Sequence, residues 1–228
     1  VNPVLICGSG PSLDTEAVLA EGLPIAAVST AIGWFEAPTY AILADVPNPK
    51  PWPIGHGKDI KQKLLRPDVT PVSMESLASS FVGCNAELFK IYTPHGKIED
   101  RTPMDGSGHI AWVVNRSMPC AVQWLAQRFD CLIFCGVDLV DTKAHINRGH
   151  IRPAHLKPRK KGFMGEASWI KKFYEIATAR GDTWLSWVPD PCPLNQFMAP
   201  YEPGRFNGTN RDHRAPQEAG GHPADLRA

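Results

Sequence analysis

Continuous apolar runs punctuate most of the chain, separated by polar or helix-patterned stretches. VLICG (4–8), PIAAVS (24–29), TYAILAD (39–45), FKIYTP (89–94), CLIFCGVDL (131–139) and TWLSWVP (183–189) are apolar almost throughout rather than alternating. That pattern predicts parallel strands buried on both faces. SLDTEAVLAEG separates the first two runs and reads as helical. Two longer helices stand out. Ser117 and Pro119 start one whose apolar positions Ala121, Val122, Leu125 and Ala126 carry it to about Phe129. The other covers about 166–180, with Trp169, Ile170, Phe173, Ile176 and Ala177 on one stripe, Arg180 in the last turn and Gly181 after it. Alternating β and α elements predict one α/β domain: a doubly wound, mostly parallel, Rossmann-like sheet with helices on both faces.

Three segments break this rhythm. Residues 46–58 carry prolines at alternate positions and read as a rigid loop. Residues 143–161 contain seven Lys/Arg, three His and no acid. From about 199 the apolar content collapses, so the expected domain is 1–198, followed by a flexible tail over 199–228.

Composition narrows the function classes. A chain of 228 residues buries roughly 70% of its unfolded surface and needs no staple. The 24 Lys+Arg against 23 Asp+Glu give a net charge of +1, so no global field draws the chain to nucleic acid or a membrane. No apolar run reaches the length of a membrane span. VNPVLICGSG reads as a first strand rather than a signal peptide. The six cysteines are scattered and four lie in apolar surroundings, the pattern of reduced core thiols, which makes a cytoplasmic location the expectation. Cys131 and Cys135 share a strand face about 13 Å apart, too far to grip one metal. No metal site is expected from spacing.

The sharpest local signal is Gly8-Ser9-Gly10-Pro11-Ser12-Leu13, after the first strand and opening a helix. Two glycines allow close backbone approach, Ser12 can cap the helix, and the exposed amides would hold phosphate. A larger residue at Gly10 is then expected to block the ligand and spare the fold. The bland alternative is a tight turn with no ligand. Leu13 occupies the third glycine position of the dinucleotide fingerprint, and no Gly-Lys-Ser/Thr follows, so neither that motif nor a P-loop is present.

Asp45 and Asp138 lie at strand ends, on the edge where open α/β sheets bind ligands. Either can take a proton or hold Mg²⁺, or else cap its own loop. His145, on a loop without apolar periodicity, suits acid–base work near neutral pH. His150 and His155 follow at intervals that fit no common metal motif. Lys157, Arg159, Lys160 and Lys161 read as a phosphate-neutralising lid or as a solvated loop. Nucleic acid is disfavoured because no aromatic residues interleave with them. Trp52 could stack on a base or sugar, whereas Trp124, Trp169, Trp184 and Trp187 read as core.

Three stretches carry a resemblance. GSGPSL after the first strand, Asn115-Arg116-Ser117 opening a helix, and a strand ending Cys135-Gly136-Val137-Asp138-Leu139 occur in order. Together with His145, they resemble the DUF115 family of motility accessory factors and 6-hydroxymethylpterin diphosphokinases. They are more distantly similar to bacterial CMP-sialic-acid-dependent sialyltransferases. Against the latter, Ser29 stands in place of a nucleotide-holding Asn, and about Met164 stands in place of a catalytic His. The resemblance implies a nucleotide-dependent, glycosyltransferase-like transferase acting with a nucleotide or nucleotide-activated sugar on an acceptor it does not identify. Gly8, Ser9, Gly10, Pro11, Ser12, Ser29, Asn115, Arg116, Ser117 and Gly136 would bind the nucleotide, and Asp45, Asp138 and His145 would do the chemistry. The alternatives are a diphosphokinase using Mg²⁺ and ATP, and a binding module without chemistry. A homo-oligomer is compatible with each.

Overall fold

The computed structural model describes residues 1–44, 56–92, 110–111, 117–139 and 162–206. Its strands are β1 (Pro3–Cys7), β2 (Ile25–Val28), β3 (Tyr40–Leu43), β4 (Thr70–Met74), β5 (Glu87–Phe89), β6 (Ile91–Tyr92), β7 (Ile110–Ala111), β8 (Cys131–Cys135), β9 (Thr183–Trp187) and β10 (Ala199–Pro200). Eight of them form one sheet in the order β10-β9-β8-β1-β2-β3-β4-β5, with every neighbouring pair parallel. β6 and β7 pair separately, also parallel. The helices are α1 (Thr15–Ala20), α2 (His56–Leu64), α3 (Ser117–Leu125) and α4 (Gly162–Ala179). The expected doubly wound α/β fold is therefore present, with a sheet that is wholly rather than mostly parallel. Among the described residues, no helix is long and apolar enough to cross a membrane.

The period of two along each strand divides the core in two. Val4 and Ile6 of β1, Leu132 and Phe134 of β8, and Trp184 of β9 face α3 and α4, meeting Trp124, Leu125, Ile170 and Phe173. Leu5, Cys7, Ile133, Cys135 and Leu185 face the other way, onto Val18 of α1, Leu64 of α2 and the 3-10 turn at Ser29–Trp34. Strands buried on both faces need apolar residues at successive positions, which is why the runs do not alternate. Trp124 and Trp184 are buried and Trp169 and Trp187 partly so, in agreement with the core reading.

Sequence reading missed β4 because Pro71 sits inside TPVSM, and a proline argues against a buried strand. The register shows why it is tolerated. Thr70 donates its N–H to Thr39, so the position of Pro71 faces the opposite side, where β5 pairs only from Val72 onward. Pro3 is placed likewise in β1: Leu5 donates toward β2, and that pairing begins at Leu5. The run at 89–94 divides instead of forming one strand, β5 ending at Phe89 in the large sheet and β6 beginning at Ile91 in the small one. α2 starts inside the segment read as a proline loop, α3 stops at Leu125, and α4 starts at Gly162 rather than near 166.

The expected domain end at 198 also shifts. β10 pairs with β9, and Tyr201 beyond it is 5% exposed. The Tyr201 hydroxyl donates to Glu21, the C-cap of α1, whose carboxylate also accepts the Gly204 N–H at 2.9 Å. Residues 199–206 thus belong to the folded unit, and 207–228 lie outside the described residues. Charged and small polar residues suppress the hydropathy of this stretch, while one tyrosine and one buried carboxylate hold it.

Two measurements test this packing. Phe173 is fully buried and stacks on Trp169 at 6.1 Å between centroids. Phe173→Ala is expected to lower the unfolding free energy in urea by about 3–5 kcal/mol; a loss under about 1 kcal/mol would mean that α4 is not docked this way. Burial and the Glu21 hydrogen bond raise the Tyr201 phenol above its ordinary value of 10.0. The unfolded chain therefore releases this proton first: the contribution is intact below pH 10 and is lost as pH rises above it. Tyr201→Phe is expected to flatten the alkaline fall in stability, and an unchanged slope would place Tyr201 in solvent.

Candidate functional site

The strand order reverses beside β1: the chain runs outward through β2, β3, β4 and β5, then returns to place β8 on the other side. The carboxyl ends of β1 and β8 therefore flank the switch point, the position where open parallel sheets form a crevice. Gly8–Ser12 leaves β1 there and Gly136–Leu139 leaves β8. Cys7 and Cys135 are register partners, so both turns leave the sheet at the same level.

The two turns are bonded to each other. The Gly8 N–H donates to Cys135 O at 2.9 Å and the Gly10 N–H to Gly136 O at 2.8 Å. The Ser12 N–H donates to Asp138 Oδ2 at 3.3 Å, and the Leu13 N–H to Gly10 O at 3.1 Å. A Cβ on Gly8 would lie 2.6 Å from Gly136 O; one on Gly10 would lie 1.8 Å from Asp138 Oδ2 and 2.5 Å from Gly136 O. The glycines at 8 and 10 are required by the β8 turn and by a carboxylate. Close approach of a ligand is not what demands them.

The phosphate cradle expected from the sequence has few amides left to offer. The amides of Gly8, Gly10 and Ser12 are spent inside the protein and Pro11 has none, which leaves that of Ser9. Ser12 does not cap α1: Asp14 does, accepting from the Glu16 and Ala17 N–H groups at 3.1 Å. α1 itself is only six residues long, too short to supply a phosphate-holding terminus. The Asp138 carboxylate lies against Gly10, where a neighbouring anion at 4 Å would meet a repulsion of about 4 kcal/mol per unit charge in a partly solvated site. Asp138 itself is 7% exposed and braces the two turns.

Other hydroxyls gather on this edge. Thr30, just beyond β2, shares a hydrogen bond with Ser9 at 2.8 Å, joining the β2 turn to the β1 turn. Ser29 holds the left-handed conformation, at φ 55°, an unfavourable one for a residue with a side chain. Ser9, Ser29 and Thr30 are all partly exposed. Ser12 Oγ is closed off from solvent and has no hydrogen-bond partner. On β9's side, Cys192 packs its Sγ 3.6 Å from Val137 O, and burial raises its thiol, with Asp138 adding to the shift.

Ser117 stands apart from this group. It is buried at the start of α3, and its Oγ accepts the Ala44 N–H at 3.2 Å, binding the helix to the end of β3. Asp45, Asn115, Arg116, His145, Lys157, Arg159, Lys160 and Lys161 lie outside the described residues, as do Trp52, His150 and His155. Of the proposed site residues, the structure brings together Gly8, Ser9, Gly10, Pro11, Ser12, Ser29, Gly136 and Asp138. Sequence reading missed Thr30 and Cys192. The polar Ser-Thr pair ending PIAAVST was a usable signal for the first; nothing local marked the second. Among the described residues, no three His, Cys, Asp or Glu converge as metal ligands.

The contacts around Gly10 reverse the effect expected of a larger residue there. Gly10→Ala is expected to destabilise the fold by ~3 kcal/mol or more through collision with Gly136 O and Asp138. Gly165→Ala, on α4 with open space around it, should stabilise by about 0.5–1 kcal/mol. Equal urea midpoints for Gly10→Ala and the wild type would return the turn to a ligand-facing role. Comparison with family models, with curated proteins and with solved structures finds no match to this chain.

Proposed function

We propose that this protein is a nucleotide-dependent transferase, glycosyltransferase-like, which takes a nucleotide-activated sugar at the carboxyl edge of β1 and β8. One observation carries the reading. Two of the segments on which the resemblance to DUF115 proteins and sialyltransferases rests, GSGPSL and CGVDL, lie about 126 residues apart yet are bonded to each other at the switch point. That is where a doubly wound sheet receives a ligand. Asp138 serves in this reading as a positioning residue, bracing the β1 turn through the Ser12 N–H. Asp45 and His145 are the proposed acid–base groups, suited respectively to accepting a proton and to exchanging one near neutral pH. Arg116 and the Lys157, Arg159, Lys160 and Lys161 group are proposed to neutralise the leaving phosphate, the charge that grows in glycosyl transfer.

Thermal denaturation with CMP, UDP, GDP, ATP and their sugar conjugates, with and without Mg²⁺, tests the reading. A nucleotide at 100 times its Kd should add about 2.7 kcal/mol of stability. Stabilisation by a nucleotide or nucleotide-sugar without a metal requirement is the expected result. A shift seen only with ATP plus Mg²⁺ would favour phosphoryl transfer of the hydroxymethylpterin diphosphokinase type. No shift with any nucleotide would overturn the proposal.

A further inference from the structure

We infer that the sheet edge at the β1 and β2 turns is a subsite for the hydroxyl-bearing, uncharged part of the ligand (a pentose or other sugar ring) and that it does not hold phosphate. The inference rests on the nucleotide-transferase reading for the ligand's full identity, but not for its chemistry at this edge.

The chemistry follows from an inventory of hydrogen-bonding groups. A phosphate only accepts, so its site must supply donors and positive charge. Here three of the amides that would donate are already engaged, Gly8 to Cys135 O, Gly10 to Gly136 O and Ser12 to Asp138, which leaves the Ser9 N–H as the turn's open donor before Leu13. Among the described residues, no Lys or Arg side chain is bonded to Ser9, Ser12, Ser29, Thr30 or Asp138. The one formal charge among them is the Asp138 carboxylate against Gly10.

What the edge does offer is suited to hydroxyls. Ser9 and Thr30 share one hydrogen bond, which consumes one of their two protons and one lone pair. One O–H and three lone pairs remain on a pair of oxygens held 2.8 Å apart, and both residues are partly exposed. Such a pair can donate to one sugar oxygen and accept from a neighbouring hydroxyl. Ser29 adds a third partly exposed hydroxyl, placed by its left-handed backbone. Sugar hydroxyls both donate and accept, as these groups do; phosphate oxygens would find few donors and one repelling carboxylate.

The test uses the full chain labelled with ¹⁵N, titrated separately with methyl β-D-ribofuranoside and with inorganic pyrophosphate up to solubility. The pentoside is expected to shift the amide signals of Ser9, Ser29 and Thr30 in a saturable way, and pyrophosphate to leave them in place. Thr30→Val, which removes the hydroxyl at constant shape, should weaken the pentoside about fivefold or more, and Thr30→Ser should restore it. The same spectra report whether each variant is folded. Shifts at these amides with pyrophosphate, or none with the pentoside, would overturn the inference. Should nucleotides fail to stabilise the protein while the pentoside still moves Ser9 and Thr30, the nucleotide reading falls and the sugar subsite stands. Nucleotide stabilisation with silent pentoside spectra would mean the reverse.

Discussion

The pairing of β1 with β8 is the constraint on which the rest of this structure depends. These strands are adjacent in the sheet though about 128 residues apart in the chain, and their register runs from Pro3↔Cys131 to Cys7↔Cys135. The ladder does not stop where the strands do. It continues through Gly8 and Gly10 onto Cys135 and Gly136, so the two turns leave the sheet as one bonded unit. Gly136 completes the fit: its φ is 61°, and a Cβ there would lie 2.6 Å from that of Leu13. Three glycines in two short segments therefore answer to one requirement, the approach of two backbones closer than any side chain allows.

Everything on the carboxyl edge takes its place from this unit. Cys7 and Cys135 form a dry floor beneath it, and burial beside Cys7 pushes the Cys135 thiol well above its ordinary range, which keeps it protonated and inert at neutral pH. Asp138 braces the β1 turn from above, Cys192 packs against Val137 from the β9 side, and Thr30 ties in the β2 turn through Ser9. Such a base leaves mainly hydroxyls, those of Ser9, Ser29 and Thr30, as the groups at the two turns free to meet a ligand. The turn that looks like a phosphate loop when read as G-x-G-x-S has, once folded, three of its amides spent and the Asp138 carboxylate against Gly10.

The outer strands show a different balance between local and distant forces. Thr70–Met74 contains a proline and Ala199–Pro200 is two residues long, so neither has a strong local preference for the strand conformation. Each is a strand because a partner supplies the ladder: β3 for the first, β9 for the second. Glu21 shows the same logic at the chain's far end. It is a helix-terminal residue in sequence, and becomes a buried anchor because Tyr201 and Gly204 return to it from 180 and 183 residues away.

The strand count in the centre of the sheet, the parallel sense and the two long helices were legible in the sequence, because burial on both faces demands unbroken apolar runs and docking of a helix demands a stripe. VLICG and CLIFC could hardly be anything but central strands. The meaning of Gly8, Gly10, Ser12 and Asp138 was not legible. A glycine in a turn is compatible with a ligand or with another backbone, and only the register of β1 on β8 decides that the neighbour is Gly136 O and the Asp138 carboxylate. Thr30 acquired its partner in the same way, since Ser9 lies on a different strand's turn. Local pattern determined which segments are strands and helices, because hydropathy period is a property of neighbours in the chain. Tertiary structure decided which polar groups are spent and which remain free, because that depends on contacts between segments more than a hundred residues apart.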